Sequence, residues 1–364
     1  MFQLKIYPIF ILFLLIFLNT SLQAKQLNFY NWSDYIAPDT IKNFQQKTGI
    51  NVTYDVFDSN EVLDSKLMAG NTGFDVVMPT DSFLARQLHA HIYMPLDKDK
   101  LPNYEHLDPK FLKMMEKFDP KNLYAIPYMW QSTGIGFDVD KVKQILGENV
   151  SLDSWDLLFN EENIKKLSQC GVAFLDAPSE IFPTVLNYLG KDPNSKQAND
   201  YYEAANLLTK IRPYITYFHS SKYINDLADG DICVAIGWSG DFFQAARAAK
   251  NAGQKKSIHY LVPKEGAIIT FDALAIPNGA KNSEEAYQFL NYLLEPKVIA
   301  NITNHIFYPN ANKDAKPYLD NDVITNPAIY PPEDVLARLF PIKEQSPKID
   351  RLMVRLWTKV LSGF

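Results

Sequence analysis

"QLNFYNWSDYIAPDTIKNFQQKTGINVTYDVF", residues 26–57, changes its periodicity twice. In QLNFY, Leu27 and Phe29 fall on one face of an extended segment. PDTIKNFQQKTG then has helical spacing, with Pro38 in the first turn, Ile41 and Phe44 three apart, and Gly49 as the stop. NVTYDVF returns to alternation at Val52, Tyr54 and Val56. A second unit follows, in which FDVVMP (74–79) reads as a buried strand and TDSFLARQL (80–88) as the helix after it. Strand, loop, helix and strand in succession predict an α/β protein with a mainly parallel sheet flanked by helices. Ligands of such sheets bind beyond the carboxyl ends of the strands, and both YNWSDY (30–35) and PTDS (79–82) fall at that edge.

The same pattern returns over residues 140–250. In DICVAIGWSGDFFQAARAAK (231–250) a strand is expected through Cys233 to Ile236, then a glycine-containing turn, then a helix from about Asp241. ITFDALAIP (269–277) is strand-like, and SEEAYQFLNYLL (283–294) is a helix that Ser283 can cap, with Ala286, Phe289, Leu290 and Leu293 as its apolar face. The proline-rich tail from Pro317 to Pro347 reads as a wrapping segment with short helices. No internal repeat or low-complexity run is evident.

Residues 1–24, MFQLKIYPIFILFLLIFLNTSLQA, place Lys5 ahead of an unbroken apolar run from Ile9 to Leu18 and a small Ala24. They read as a cleavable secretory signal peptide, with an uncleaved anchor as the alternative, and the exported mature chain is expected to begin near Lys25. What remains is about 340 residues, enough for about two domains. The whole chain has 36 basic and 42 acidic side chains, a formal charge of -6. An acidic body argues against nucleic acid and favours a cationic ligand. Cys170 and Cys233 are the only cysteines. In an exported chain an even pair points to a disulfide, the other reading being two separately buried thiols.

Six histidines, at 89, 91, 106, 219, 259 and 305, lack zinc spacing, so no metal is expected. There is no G-x-S-x-G elbow and no Walker loop, and GIGFDV (134–139) lacks the third glycine of a dinucleotide loop, so no cofactor is expected either. Several strand ends instead carry aromatic and acidic residues together: Trp32, Asp34 and Tyr35; Thr80, Asp81 and Ser82; Trp238 and Asp241; and Asp272. Asp34, Asp81 and Asp241 are also candidate helix N-caps, and Trp32 and Trp238 candidate packing residues. Helix N-termini attract anions, but carboxylates placed there reverse the preference. Carboxylates with Trp and Tyr suit an elongated organic cation, whose ammonium groups donate to the acids while aromatic faces cover the methylenes. A diamine would need acids at both ends. A secreted carbohydrate-active enzyme would also use paired carboxylates and aromatics, though no motif supports one.

YNWSDYIAPDT (30–40), FDSNEVLDSKLMAGNTGFDVVMP (57–79), YMWQSTGIGFDVDKV (128–142), FLDAPSE (174–180), FHSSKYINDLADGDICVAIGWSGD (218–241) and EAYQFLNYLLEP (285–296) together resemble the periplasmic polyamine-binding proteins of ABC importers, most closely the putrescine-binding branch. The likeness runs from about Leu27 to Lys359. It implies a two-lobed type II periplasmic binding fold with the ligand cleft between the lobes, one lobe being 25–132 plus 257–302 and the other 133–256 plus 303–364. It implies ligand contacts at Trp32, Ser33, Asp34, Tyr35, Thr80, Ser82, Glu180, Trp238, Asp241, Asp272 and Tyr308. Trp32, Trp238 and Tyr308 would pack on the ligand chain, and Asp34, Glu180, Asp241 and Asp272 would engage amines. It also implies a Cys170–Cys233 disulfide. Two positions depart from the branch: Asp81 stands for a small neutral residue and Thr270 for an aromatic, which makes both candidate specificity residues unless Asp81 only caps its helix. By the resemblance the chain is a monomeric, non-catalytic carrier that delivers putrescine, or also spermidine, to an inner-membrane permease, with a sensory polyamine-binding module as the alternative.

Overall fold

The computed structural model describes residues 25–363; the signal-peptide expectation and Phe364 lie outside them. Strand β1 (Gln26–Trp32) pairs in parallel with β2 (Asn51–Phe57) along its whole length and with β3 (Val76–Val77) on its other side. The apolar positions of β1 are buried, as its alternation predicts. Helix α1 (Thr40–Thr48) joins β1 to β2 and ends at Gly49, whose φ of 73° is the left-handed conformation that a glycine adopts without steric cost. Pro38 lies ahead of the helix, with Asp39 at the N-cap, not within the first turn. Phe44 of α1 packs edge-on against Phe289, with ring centroids 4.9 Å apart.

Phe289 belongs to the helix Ser283–Leu293. Ser283 is its first helical residue, not its cap; Asn282 holds the N-cap position without a side-chain cap bond. The buried Asp75 accepts from both the backbone and the side-chain amide of Asn282 instead, at 3.0 and 2.9 Å, and so fixes the helix start from the neighbouring strand end.

The centre of the sheet is β4 (Ala125–Asp138), 14 residues buried throughout. Four further strands build the second half of the sheet: β5 (Val172–Phe174), β6 (Tyr217–Phe218), β7 (Val234–Trp238) and β8 (Ile258–Leu261). Strand β9 (Ala267–Ala275) runs antiparallel to the first part of β4, and β7 and β8 run antiparallel to its last part. The order is β2-β1-β3-β9-β4-β7-β5-β6. Each outer group is parallel, as expected, whereas the pairs made by β4 and β9 with the strands beside them are antiparallel apart from the edge pair of β9 with β10 (Leu339–Pro341). These two long strands carry the chain from one group to the other. Strand β8, which the expected boundary assigns to the first lobe, pairs with Ile135–Asp138 and packs with the second group.

The helix after β7 spans Ser239–Asn251, two residues earlier than the sequence suggests. Gly136 on β4 lets it approach: a Cβ there would sit 1.8 Å from the Phe242 ring. Cys170 and Cys233 form a disulfide across 63 residues beside the β5–β7 pair. On the chain-entropy account such a loop is worth about 4 kcal/mol. The tail holds short helices, and β10 (Leu339–Pro341) pairs with β9 before the final helix Pro347–Ser362. Among the described residues no helix is long and apolar enough to cross a membrane.

Candidate binding site

The first loop leaves β1 at Trp32 and turns through Asp34, whose φ of 55° is left-handed. That turn points Tyr35 inward, where its hydroxyl donates to Asp272 Oδ2 at 2.7 Å. Asp272 is on β9, pairs with Thr80 across an isolated bridge and is 1% exposed. Its other oxygen, Oδ1, is buried and has no hydrogen-bond partner. The Tyr35 ring meets the Tyr308 ring edge-on at 4.9 Å, and the Tyr308 hydroxyl donates to Asp241 Oδ1 at 2.6 Å. Two buried carboxylates are thus joined through two tyrosines. Trp32 and Trp238 meet edge-on at 5.4 Å, with both indole N–H groups buried and unpartnered.

Asp241 is the third residue of the helix Ser239–Asn251, so it is no N-cap; it accepts from Tyr308 and from Tyr223, whose hydroxyl also accepts from the Trp238 backbone N–H at 3.2 Å. Glu180 is the third residue of the helix Pro178–Tyr188 and accepts from the Thr133 hydroxyl at 2.6 Å. Asp81 is the first residue of α3 (Asp81–His89), and Thr80 stands at the N-cap. Asp81 Oδ1 accepts from the Ser82 N–H at 2.7 Å, and Oδ2 from the Phe271 N–H at 3.3 Å on β9. It is 0% exposed and ties the second loop to the strand that carries Asp272. Thr270, next to Phe271 in sequence, is buried with its hydroxyl unpartnered. Ser33 and Ser82 are half-buried, and Ser82 borders a groove shared with Arg86 and Ser179.

Asp34 is placed differently from the four buried acids. Its residue is exposed, and its backbone carbonyl accepts from Gln244 at 3.2 Å. It lies near enough to Asp241 to raise the pKa of that group, so it stands at the rim and not among the buried acids.

Burial dominates the electrostatics. It pushes Asp272 up to about 8, Tyr35 offsetting part of the shift and Glu180 adding to it. Burial likewise pushes Glu180 and Asp241 up to about 7, against the hydrogen bonds that each accepts. Asp81 is raised well above the ordinary carboxylate range, first by burial, with Asp272 and Glu180 contributing repulsion. Among the described residues none of these four acids has a Lys, Arg or His within ion-pair distance. Nor do the described residues hold a cluster of metal-ligand side chains. Sequence reasoning gave no role to Tyr223, Thr133 or Gln244; Tyr223 and Thr133 fall inside quoted motifs, but only long-range folding shows which acid each one serves.

The family of bacterial extracellular solute-binding proteins matches residues 39–331. The chain belongs to that family. This solute-binding protein is 61% identical over 342 residues to the putrescine-binding periplasmic protein PotF of Escherichia coli (strain K12), covering 94% of this chain and 92% of that protein. It is 51% identical over 339 residues to the putrescine-binding periplasmic protein SpuD of Pseudomonas aeruginosa (strain UCBPP-PA14), covering 93% and 92%. Its structure superposes on that of the spermidine/putrescine ABC transporter substrate-binding protein PotD from Streptococcus pneumoniae with a TM-score of 0.72, at 27% identity, covering 93% of this chain and 99% of that chain. The solute-binding protein has the two-lobed type II periplasmic binding fold, in which β4 and β9 run between the strand groups.

Proposed function

We propose that this solute-binding protein is exported to the periplasm, captures putrescine between its lobes and delivers it to an inner-membrane ABC permease, as a monomer and without catalysis. The observation that carries the reading is the set of buried carboxylates Asp81, Glu180, Asp241 and Asp272, none with a cationic side chain within ion-pair distance among the described residues, two of which, Asp272 and Asp241, are linked through Tyr35 and Tyr308. Burying an ionised acid without a partner costs several kcal/mol, of order the whole stability margin of a domain. An ammonium supplied by the ligand relieves that cost. Two acid groups, one around Asp272 and one around Asp241, fit a cation charged at both ends, and the Trp32–Trp238 and Tyr35–Tyr308 faces suit the methylenes between. We take the lobes as 25–132 plus 257–302 and 133–256 plus 303–364, with β8 assigned to the second because it pairs with Ile135–Asp138. Trp32, Ser33, Asp34, Tyr35, Thr80, Ser82, Glu180, Trp238, Asp241, Asp272 and Tyr308 form the ligand surface, with Asp34 at its rim.

Relatives named for putrescine and for spermidine/putrescine frame the choice of ligand. Calorimetric titration with putrescine, cadaverine, spermidine and spermine tests it: binding tightest for a linear diamine is expected, and no heat with any of the four sinks the assignment. Asp81→Ala should change the ratio of diamine to triamine affinity, because it removes a buried acid that already feels the repulsion of Asp272 and Glu180. An unchanged ratio would leave Asp81 as a loop-to-strand tie only.

A further inference from the structure

The helix Pro178–Tyr188, which carries Glu180, has no side-chain cap of its own: Ala177 stands at the N-cap and Pro178 has no N–H. The N–H of Ser179 is therefore an orphan that its own segment cannot satisfy. Its partner comes from the other end of the cleft. Glu61, in the first turn of α2 (Asn60–Ala69), accepts from Ser179 N–H through Oε1 at 3.3 Å, while its Oε2 is out of solvent contact and unpartnered. Glu61 belongs to the first lobe and Ser179 to the second, and the two border one interlobe cavity of about 450 Å³ together with Asp64, Arg86, Asp176 and Asp350. We propose that Glu61 is a closure-dependent positioning residue, which caps the Glu180 helix across the cleft only when the lobes are together and so holds Glu180 where it meets the ligand. This rests on the two-lobed polyamine-binding reading.

The contact exists only in the closed form, so its free energy is differential and shifts the opening equilibrium, which a bond within one lobe cannot do. A carboxylate at a helix N-terminus also meets the positive end of the helix dipole. The anionic partner raises the proton affinity of Glu180, so the acid that positions Glu180 also tunes it.

The test compares wild type, Glu61→Ala and Glu61→Gln by calorimetry and stopped-flow binding of putrescine. Glu61→Ala is expected to weaken binding about tenfold or more, the scale for a lost hydrogen bond to a charged acceptor, with the rise in dissociation rate carrying the change. The melting temperature of the ligand-free protein should stay at its wild-type value, because the open form lacks the contact. Glu61→Gln keeps an acceptor and should recover most of the affinity. Wild-type binding with Glu61→Ala within twofold of it, or a loss in Glu61→Ala matched by an equal fall in ligand-free melting temperature, overturns the proposal while leaving the ligand assignment standing. Absence of putrescine binding by the wild type overturns both.

Discussion

Asp272 has one oxygen held by Tyr35 and the other buried without a partner, and burial pushes it up to about 8. Its ordinary value is about 3.9, so the folded, ligand-free chain keeps a proton that the unfolded chain has released. The folded form therefore binds more protons across that window, and its stability falls as pH rises from about 4 to about 8. Glu180 and Asp241, at about 7, add losses of the same sign. A bound ammonium favours the ionised acids, so ligand binding near neutrality should release protons and tighten as pH rises from about 6 to about 8. Calorimetry in buffers of different ionisation heat measures the release, and a binding heat independent of buffer would count against it. Asp272→Asn removes the ionisable group while keeping an acceptor for Tyr35. It should weaken diamine binding strongly, yet raise the ligand-free melting temperature at pH 8 by about 2–4 °C and leave it little changed at pH 5.

At the scale of elements, the fold was legible wherever one segment decides its own state. The β1–α1–β2 unit forms because Leu27 and Phe29, then Phe44, then the alternation of residues 51–57 each satisfy one periodicity, and Gly49 ends the helix where expected. The failures have a common cause. Ser283 does not cap its helix because Asp75, more than 200 positions away, holds Asn282. The resemblance sets Asp34 beside Glu180, Asp241 and Asp272 without distinguishing their burial, and the left-handed turn that sends Tyr35 inward leaves Asp34 at the surface. The division of the site among acids was legible only through the family likeness, and the tyrosine wiring between Asp272 and Asp241 not even so. Gly240 shows how an element fixes that wiring: a Cβ there would lie 2.4 Å from the Tyr308 ring and 2.6 Å from the Ile306 carbonyl. Gly240→Ala should therefore push Tyr308 off Asp241, costing about 1–3 kcal/mol of stability and weakening ligand binding together. Chemical denaturation and titration of the same sample check both, and a crystal structure with Tyr308 unmoved would refute the account.

Across the whole molecule, the question is what makes closure conditional on ligand. Arg86 on α3 reaches Asp64 of its own lobe at 2.7 Å and Asp350 of the final helix at 3.4 Å, while its guanidinium lies over the Phe83 ring at 4.5 Å. Asp350 is raised by burial and pulled back by Arg86, so the pair offsets a real desolvation cost without removing it. At the rim His89 faces Glu344 at 3.2 Å across the same boundary. The Arg86 contacts are partly buried and the His89 contact lies at the surface, and after desolvation and screening each is worth about 1 kcal/mol or less. That magnitude matters: a stronger latch would close the lobes without ligand, and none would leave the buried acids to set the equilibrium alone. Arg86→Ala should accordingly weaken putrescine binding by about two- to fivefold, well short of the loss expected for Asp272→Asn, without altering which polyamine is preferred. Salt screens the rim and not the acids, so the gap between wild type and Arg86→Ala should narrow as ionic strength rises from about 0.01 M to about 1 M. Parallel titrations at both salt concentrations, with small-angle scattering to follow closure, read the effect directly. A gap that persists at high salt would move the role of Arg86 from latch charge to packing on Phe83.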